Sequence, residues 1–237
     1  MPEVSVVFEH PDFIIVLKPT AVTMHYADGD VSILSRLNEM GYKDLFLVHR
    51  LDADTSGLLI LAKHQKAAAL LASMFQQRQV EKYYLALSDK KPLKKQGHIC
   101  GDMKNIRRGN YALTREQTNP AYTQFISQSI DLDDSGVLRL FVLKPFTGKT
   151  HQLRVALKSI GSPILGDPRY SKSEADRMYL HAWVLRFEYL GTVYQFAEPP
   201  NEGTLFQTTA LQQHALLQSL PWEIQWPTAK AGFAPSV

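Results

Sequence analysis

The chain has 237 residues, 45% of them hydrophobic and 21% charged, with a formal net charge of +3. This is the composition of a globular chain with a sizeable core, and it argues against a disordered or fibrous one. No apolar run is long enough to span a bilayer, the first residues lack a signal-peptide pattern, and the single cysteine, Cys100, cannot form an internal disulfide. A cytoplasmic location is the resulting expectation.

Residues 4–8 and 13–17 predict a strand pair around a turn at 9–12. Residues 31–40 predict a short helix capped by Asp30, with Ile33, Leu34 and Leu37 on one face and Gly41 ending it. An apolar run at 45–48 then leads into residues 49–57, His-Arg-Leu-Asp-Ala-Asp-Thr-Ser-Gly, and a second apolar run follows at 58–62. Charged residues set between two such runs are seldom there for packing, and loops held by strands commonly carry reactive groups. Residues 66–79 predict a helix with Leu70, Leu71, Met74 and Phe75 on the buried stripe. A strand is predicted at 83–88, and the polar, basic stretch 89–119 reads as an excursion from the sheet. Within it lie Lys90, Lys91, Lys94, Lys95, Lys104, Arg107 and Arg108, opposed by Asp102. A solvated loop and a phosphate-contacting patch both fit this cluster. Residues 121–130 and 137–144 predict a hairpin around 131–136. A helix is predicted at 150–160, with Leu153, Leu157 and Ile160 on one side and Gly161 as its stop. A last strand pair, 179–187 and 192–196, precedes a helix at 208–220 and a loose tail at 228–237. Strands outnumber helices and are joined by short turns, which argues for an antiparallel-rich α+β fold.

The nonapeptide at 49–57 resembles the signature of the RluA-type RNA pseudouridine synthases, and further segments agree in the same order. Phe13 to Pro19 resembles the family's opening strand with its Lys-Pro end. Lys82-Tyr83-Tyr84-Leu85-Ala86 resembles the Lys-x-Tyr-x-Ala segment, and Thr147 to Arg154 resembles Thr-Gly-x-x-His-Gln-Leu-Arg. Pro163 to Asp167 and Leu180-His181-Ala182 fit as well. Leu17 and Ala21 depart from the pattern, standing where the family usually has Asn and Gly. The resemblance implies a single catalytic domain at 1–200, with a long mixed, mainly antiparallel sheet, helices packed on it and a central active cleft. Residues 201–237 are then a C-terminal extension, and no separate N-terminal RNA-binding domain is expected.

Pseudouridine formation breaks the uracil–ribose N–C bond, turns the base and joins its C5 to C1′. It consumes no water and needs no redox group. The resemblance therefore implies no cofactor and no metal, an RNA partner (transfer or ribosomal) and a monomer. It makes Asp52 the carboxylate at the ribose, either attacking C1′ or removing the C2′ proton. Arg154 would pair with Asp52 and direct it. Tyr84 would stack on the uracil, a contact worth about 1–3 kcal/mol in single-stranded recognition. Arg50 would take the place vacated when the uridine leaves the RNA stack. His49, Thr55, Lys82 and Leu180 are implied on the substrate or RNA side. From the residues alone, His49 reads as a hydrogen-bonded structural histidine, Thr55 and Ser56 as loop holders, and Gly57 as a site of close backbone packing.

Two other readings compete. Asp52-Ala53-Asp54-Thr55 also fits Asp-x-Asp-x-Thr, the motif of a magnesium-dependent phosphotransferase, with Asp133-Asp134 as a later acidic pair. That fold needs repeated strand–helix alternation, which the pattern lacks. A catalytically inactive RNA-binding module is the second, and the joint presence of Asp52, Tyr84 and Arg154 argues against it.

Overall fold

The computed structural model describes residues 3–24, 32–107, 109–132 and 136–233. In chain order its strands are β1 (Ser5–Glu9), β2 (Phe13–Lys18), β3 (Phe46–Leu47), β4 (Ser56–Ala62), β5 (Glu81–Ser88), β6 (Gln96–Gly101), β7 (Met103–Arg107), β8 (Asn110–Leu113), β9 (Ala121–Asp131), β10 (Val137–Pro145), β11 (Leu180–Tyr189) and β12 (Thr192–Ala197). The helices are α1 (Ile33–Glu39), α2 (Gln65–Gln76), α3 (Gln152–Ser159), α4 (Thr209–Gln212) and α5 (Ala215–Gln218). They belong to two compact units, Met1–Glu81 with His181–Glu202, and Lys82–Leu180 with Gly203–Val237.

In the first unit β1, β2 and β4 pair antiparallel, β4 pairs parallel with β11, and β11 pairs antiparallel with β12. The other edge of β4 is shared end to end, by β11 at Ser56–Gly57 and by β3 at Leu61–Ala62. Every residue of β2 and β4 is buried, so both strands read as continuous apolar runs rather than as alternation. Helix α2 packs on this sheet through Ala67, Leu71 and Met74, at the i, i+4, i+7 spacing of one helix face. Leu70, expected on that stripe, is 39% exposed instead. The helix ends at Gln76, and His64 caps its start by accepting from Ala67 N. Helix α1 buries Ile33 and Leu37 and is capped by Ser32, in a reciprocal box with Ser35. The expected cap, Asp30, lies outside the described residues.

In the second unit β5, β10, β9 and β6 form an antiparallel sheet, and β7 and β8 form a separate hairpin. The stretch 89–119 is therefore not wholly an excursion, because β6 returns to pair with β9. Asp133 and Asp134 lie outside the described residues. Helix α3 starts at Gln152 rather than Thr150, since His151 is left-handed (φ 56°) and stops the helix from extending backwards. Gly161 (φ 80°) ends it as expected.

The predicted helix at 208–220 is two short turns, α4 and α5, separated where the His214 side chain accepts from Leu216 N. Residues 228–233 are not loose. Lys230 N donates to Tyr122 Oη at 2.8 Å, and Phe233 stacks on the Tyr122 ring at 4.3 Å. Pro227 O accepts from Gln124 and Trp226 lies against Tyr83, so an aromatic strap binds this segment to β9 and β5. Among the described residues no helix is long and apolar enough to cross a membrane.

Candidate active site

The loop carrying Asp52 is fixed at several points. His49 Nε2 accepts from Ile60 N at 3.0 Å, and its ring stacks on Phe75 at 4.3 Å. Lys18, at the end of β2, is fully buried, and its Nζ donates to Pro19 O, Val22 O and Ala53 O, each at 2.8 Å. Thr20 Oγ1 donates to Asp54 O at 3.0 Å, and Thr55 N closes the turn on Asp52 O at 3.0 Å. The three peptides that begin with the Asp52 carbonyl are thus tied down through their oxygens. Asp52 itself is half-buried, Thr55 is buried and Arg50 is exposed.

The loop then enters β4 through a second set of constraints. His181, fully buried, joins Ser56 Oγ to Glu198 O through Nδ1 (2.8 Å) and Nε2 (2.9 Å). A carbonyl can only accept, so Nε2 carries the proton and Nδ1 accepts from the serine hydroxyl. Gly57 sits at φ 116°, and a Cβ there would lie 2.3 Å from Ala182 O. The close approach expected at Gly57 is the parallel β4–β11 contact.

In the second unit β5 carries Lys82, Tyr83 and Tyr84. Strand alternation puts Lys82 and Tyr84 on one face and Tyr83 on the other. Tyr83 is covered on its face by Trp226 and by Lys144 Nζ, 5.1 Å from its ring centroid. Tyr84 is 8% exposed. Desolvation pushes the Lys82 pKa down to about 8. Leu180, 3% exposed, opens β11, and its carbonyl accepts from Arg177 Nη2 at 3.3 Å.

Arg154 is not the surface residue that a lone helical arginine usually is. It is 3% exposed and grips Asp167 with both prongs, Nε to Oδ2 at 2.8 Å and Nη2 to Oδ1 at 2.7 Å. Asp167 Oδ1 also accepts from Arg169 N (2.9 Å) and Tyr170 N (3.1 Å), so this buried carboxylate is well satisfied. The Arg154 guanidinium lies over the Tyr170 ring, 5.2 Å from its centroid. Two of its five N–H groups go to Asp167.

Of the residues expected from sequence, Asp52, Arg50, His49 and Thr55 share one loop of the first unit. Tyr84, Lys82, Arg154 and Leu180 lie in the second, on β5, in α3 and at the start of β11. Lys18, Asp167, Tyr170 and His181 were not singled out as site residues, although the matched segments contain three of them. A lysine closing a strand as apolar as Phe-Ile-Ile-Val-Leu is the signal that could have found Lys18. The basic cluster divides. Lys90 to Lys95 lie in a loop whose backbone binds Ser162, Ile160 and Ser127, whereas Lys104 and Arg107 lie beyond β6 on the β7–β8 hairpin.

The phosphotransferase alternative fails on topology: β1–β2, β2–β4, β3–β4, β11–β12, β5–β10, β9–β10 and β6–β9 all pair antiparallel, which a doubly wound parallel sheet does not allow. Among the described residues no group of three or more His, Cys, Asp or Glu is placed to hold a metal ion.

Residues 12–159 match the family model described as RNA pseudouridylate synthase. A Haemophilus influenzae protein named uncharacterized RNA pseudouridine synthase is 44% identical over 93% of this chain and 98% of its own length. The dual-specificity RNA pseudouridine synthase RluA of Vibrio parahaemolyticus is 35% identical over 78% of each chain. Among solved structures, human RNA pseudouridylate synthase domain containing 1 superposes with a TM-score of 0.72 at 27% identity, over 84% of each chain. The mixed, mainly antiparallel α+β architecture, the matched segment and the near full-length likeness agree: this chain belongs to the RNA pseudouridylate synthase family, and it is an RNA pseudouridine synthase.

Proposed function

We propose that this enzyme isomerises specific uridines in transfer or ribosomal RNA, with Asp52 as the carboxylate that acts at the ribose. The observation that carries this reading is the construction of the Asp52 loop. A buried lysine and a threonine hold the carbonyls of the next two residues, and the loop's own turn holds Asp52 O, which keeps a half-buried carboxylate in one direction. Asp52 either attacks C1′ and is displaced again when C5 bonds there, or takes the C2′ proton and returns it once C5 has bonded to C1′. The N1–C1′ bond breaks, the C5–C1′ bond forms, and the C5 proton leaves to solvent while N1 gains one. No step needs a redox group or a metal.

Arg154 directs Asp52 and is itself held by Asp167. Tyr84 stacks on the detached uracil, with Lys82 on the same face of β5. Arg50, exposed at the loop, fills the place that the uridine leaves in the RNA, and Leu180 contributes apolar surface to the base. His49 and Thr55 serve RNA by shaping the loop. Residues 1–200 form the catalytic domain, and 201–237 an extension, of which 226–233 are strapped to β9 and β5. The enzyme works in the cytoplasm as a monomer without an obligatory protein partner.

The test is pseudouridine mapping of total cellular RNA with and without the protein, followed by complementation with Asp52→Asn. The expected result is one or a few uridines whose conversion is lost with the protein and is not restored by the variant. That variant keeps its fold and loses about 10²–10⁴-fold in rate. Sites restored by Asp52→Asn would overturn the role of Asp52. The absence of any lost site would favour an RNA-binding module without activity.

A further inference from the structure

Tyr170 occupies a junction that the proposed chemistry does not explain. Its ring lies under the Arg154 guanidinium, and its backbone N–H binds the same Asp167 oxygen that grips that arginine. Its hydroxyl leaves in the other direction. Tyr111 N, on β8, donates to Tyr170 Oη at 2.8 Å, and Tyr170 Oη lies 3.0 Å from His151 Nδ1. An N–H can only donate, so the phenol oxygen accepts from Tyr111, and its hydrogen bond with His151 Nδ1 runs in the direction that the histidine tautomer sets. Burial raises the Tyr170 pKa, so the phenol keeps its proton. His151 precedes α3 in a left-handed conformation, three residues before Arg154, and its ring meets the edges of both tyrosines.

One phenol thus touches the hairpin, the start of α3 and the guanidinium. The hairpin has the character of a nucleic-acid contact. Its β7 strand exposes Arg107 and Lys104, the latter in a solvent-exposed ion pair with Glu116 (2.8 Å) that a phosphate can displace, and Arg169 reaches Asn110 at 3.3 Å. Such side chains gain affinity by displacing counterions from phosphates.

We propose that Tyr170 is the positioning residue for Arg154, and that through Tyr111 and His151 it ties the arginine to the β7–β8 hairpin, so that RNA phosphate held on the hairpin steadies the guanidinium. This rests on the reading of Arg154 as the partner of Asp52. The ring supplies the platform, and the hydroxyl supplies the link.

The experiment separates the two parts. Total RNA from cells lacking the protein, carrying tritium at uridine C5, is the substrate, and tritium release reports turnover. Tyr170→Phe keeps the platform and cuts the link. It lowers turnover at saturating RNA by about five- to tenfold, while the half-saturating RNA concentration stays within about twofold. Tyr170→Leu removes both and falls further. His151→Gly, whose backbone tolerates the left-handed position, behaves like Tyr170→Phe and carries the test if the phenylalanine variant folds poorly. Lys104→Ala with Arg107→Ala raises the half-saturating concentration and also lowers turnover. In the Tyr170→Phe background it lowers turnover no further.

A folded Tyr170→Phe with unchanged turnover would overturn the proposal, as would hairpin and Tyr170→Phe effects on turnover that simply add. A defect confined to thermal stability would make Tyr170 merely structural. Wild-type turnover in Arg154→Ala would instead sink the reading of Arg154 on which the proposal rests. No tritium release by the wild-type enzyme would sink both.

Discussion

The Asp52 loop and the Arg154 end of α3 are built on opposite plans. Around Asp52 the structure grips the main chain, with Lys18 and Thr20 taking the carbonyls of Ala53 and Asp54. Around Arg154 it grips the side chain itself, by a two-pronged carboxylate and an aromatic ring. A loop held by its backbone tolerates changes in neighbouring side chains while its anchor survives. A guanidinium held by side chains depends on each of them. The arrangement suits the two proposed tasks, since the acid needs a fixed direction and the arginine must keep its charge while buried.

The comparison breaks most visibly at Asp167. Asp167→Asn leaves the Arg154 guanidinium buried without its carboxylate, an expected cost of about 3–5 kcal/mol. Thermal unfolding should shift down by roughly 10 °C, with turnover falling alongside. A shift of a degree or two would mean that the side-chain grip matters less than its geometry suggests.

Lys18→Met tests the other plan. It strips a partner from three carbonyls, partly offset by removing a buried ammonium, for an expected loss of about 2–3 kcal/mol. Asp54→Asn, whose side chain is not part of the grip described, should stay within about 0.5 kcal/mol of wild type. If Asp54→Asn proved the worse of the two in chemical denaturation, the loop would not be held by its backbone.

A third measurement sharpens the contrast by pH. Burial holds the Lys82 pKa near 8, below the usual 10.5. Between those values the folded chain has shed a proton that the unfolded chain keeps, so stability rises with pH across that window. Lys82→Met lacks this rise. Its advantage in melting temperature over wild type should be largest below pH 8 and shrink towards pH 10.5, and a gap independent of pH would contradict the assignment.

The smallest effect concerns Ala21, which sits at φ 58° where the family pattern has Gly. A left-handed conformation strains any residue with a Cβ by roughly 1–2 kcal/mol, and glycine's greater freedom in the unfolded chain returns part of that. Ala21→Gly should stabilise by about 0.5–1 kcal/mol, read as a small rise in denaturation midpoint. Destabilisation would mean that the turn after Lys18 is not under strain.

Much of this was legible in the residues. The continuous apolar runs of β2 and β4, the glycine stops after α1 and α3 and the close approach at Gly57 follow from local chemistry, and the structure shows each. Family and reaction were legible because several short segments recur in order. What escaped notice depends on distant partners. Lys18 reads as a strand end until Ala53, 35 positions away, is seen to receive its proton. Asp167 reads as a turn residue until Arg154 arrives beside it. The tail from 228 looks loose because Lys230 and Phe233 have no local periodicity, and their partner Tyr122 lies more than a hundred residues earlier. Leu70 shows the reverse error, since an apolar residue in a helical pattern need not face the core.

The parallel join at Gly57 also bears on how the chain matures. The strand that completes this edge, β11, lies about 125 positions downstream, as the Ser56–His181 hydrogen bond records. While the polypeptide emerges from the ribosome, β4 has β2 and β3 at hand, yet its Ser56–Gly57 end must wait for some 120 further residues, on the order of 6–25 s at ordinary elongation rates. A largely apolar strand with one edge incomplete for that interval is a target for chaperones and for mispairing. A bulkier residue at Gly57 would prolong the interval by obstructing the closing contact with Ala182. Its signature would be a lower yield of soluble enzyme on synthesis, out of proportion to any defect in the molecules that do mature.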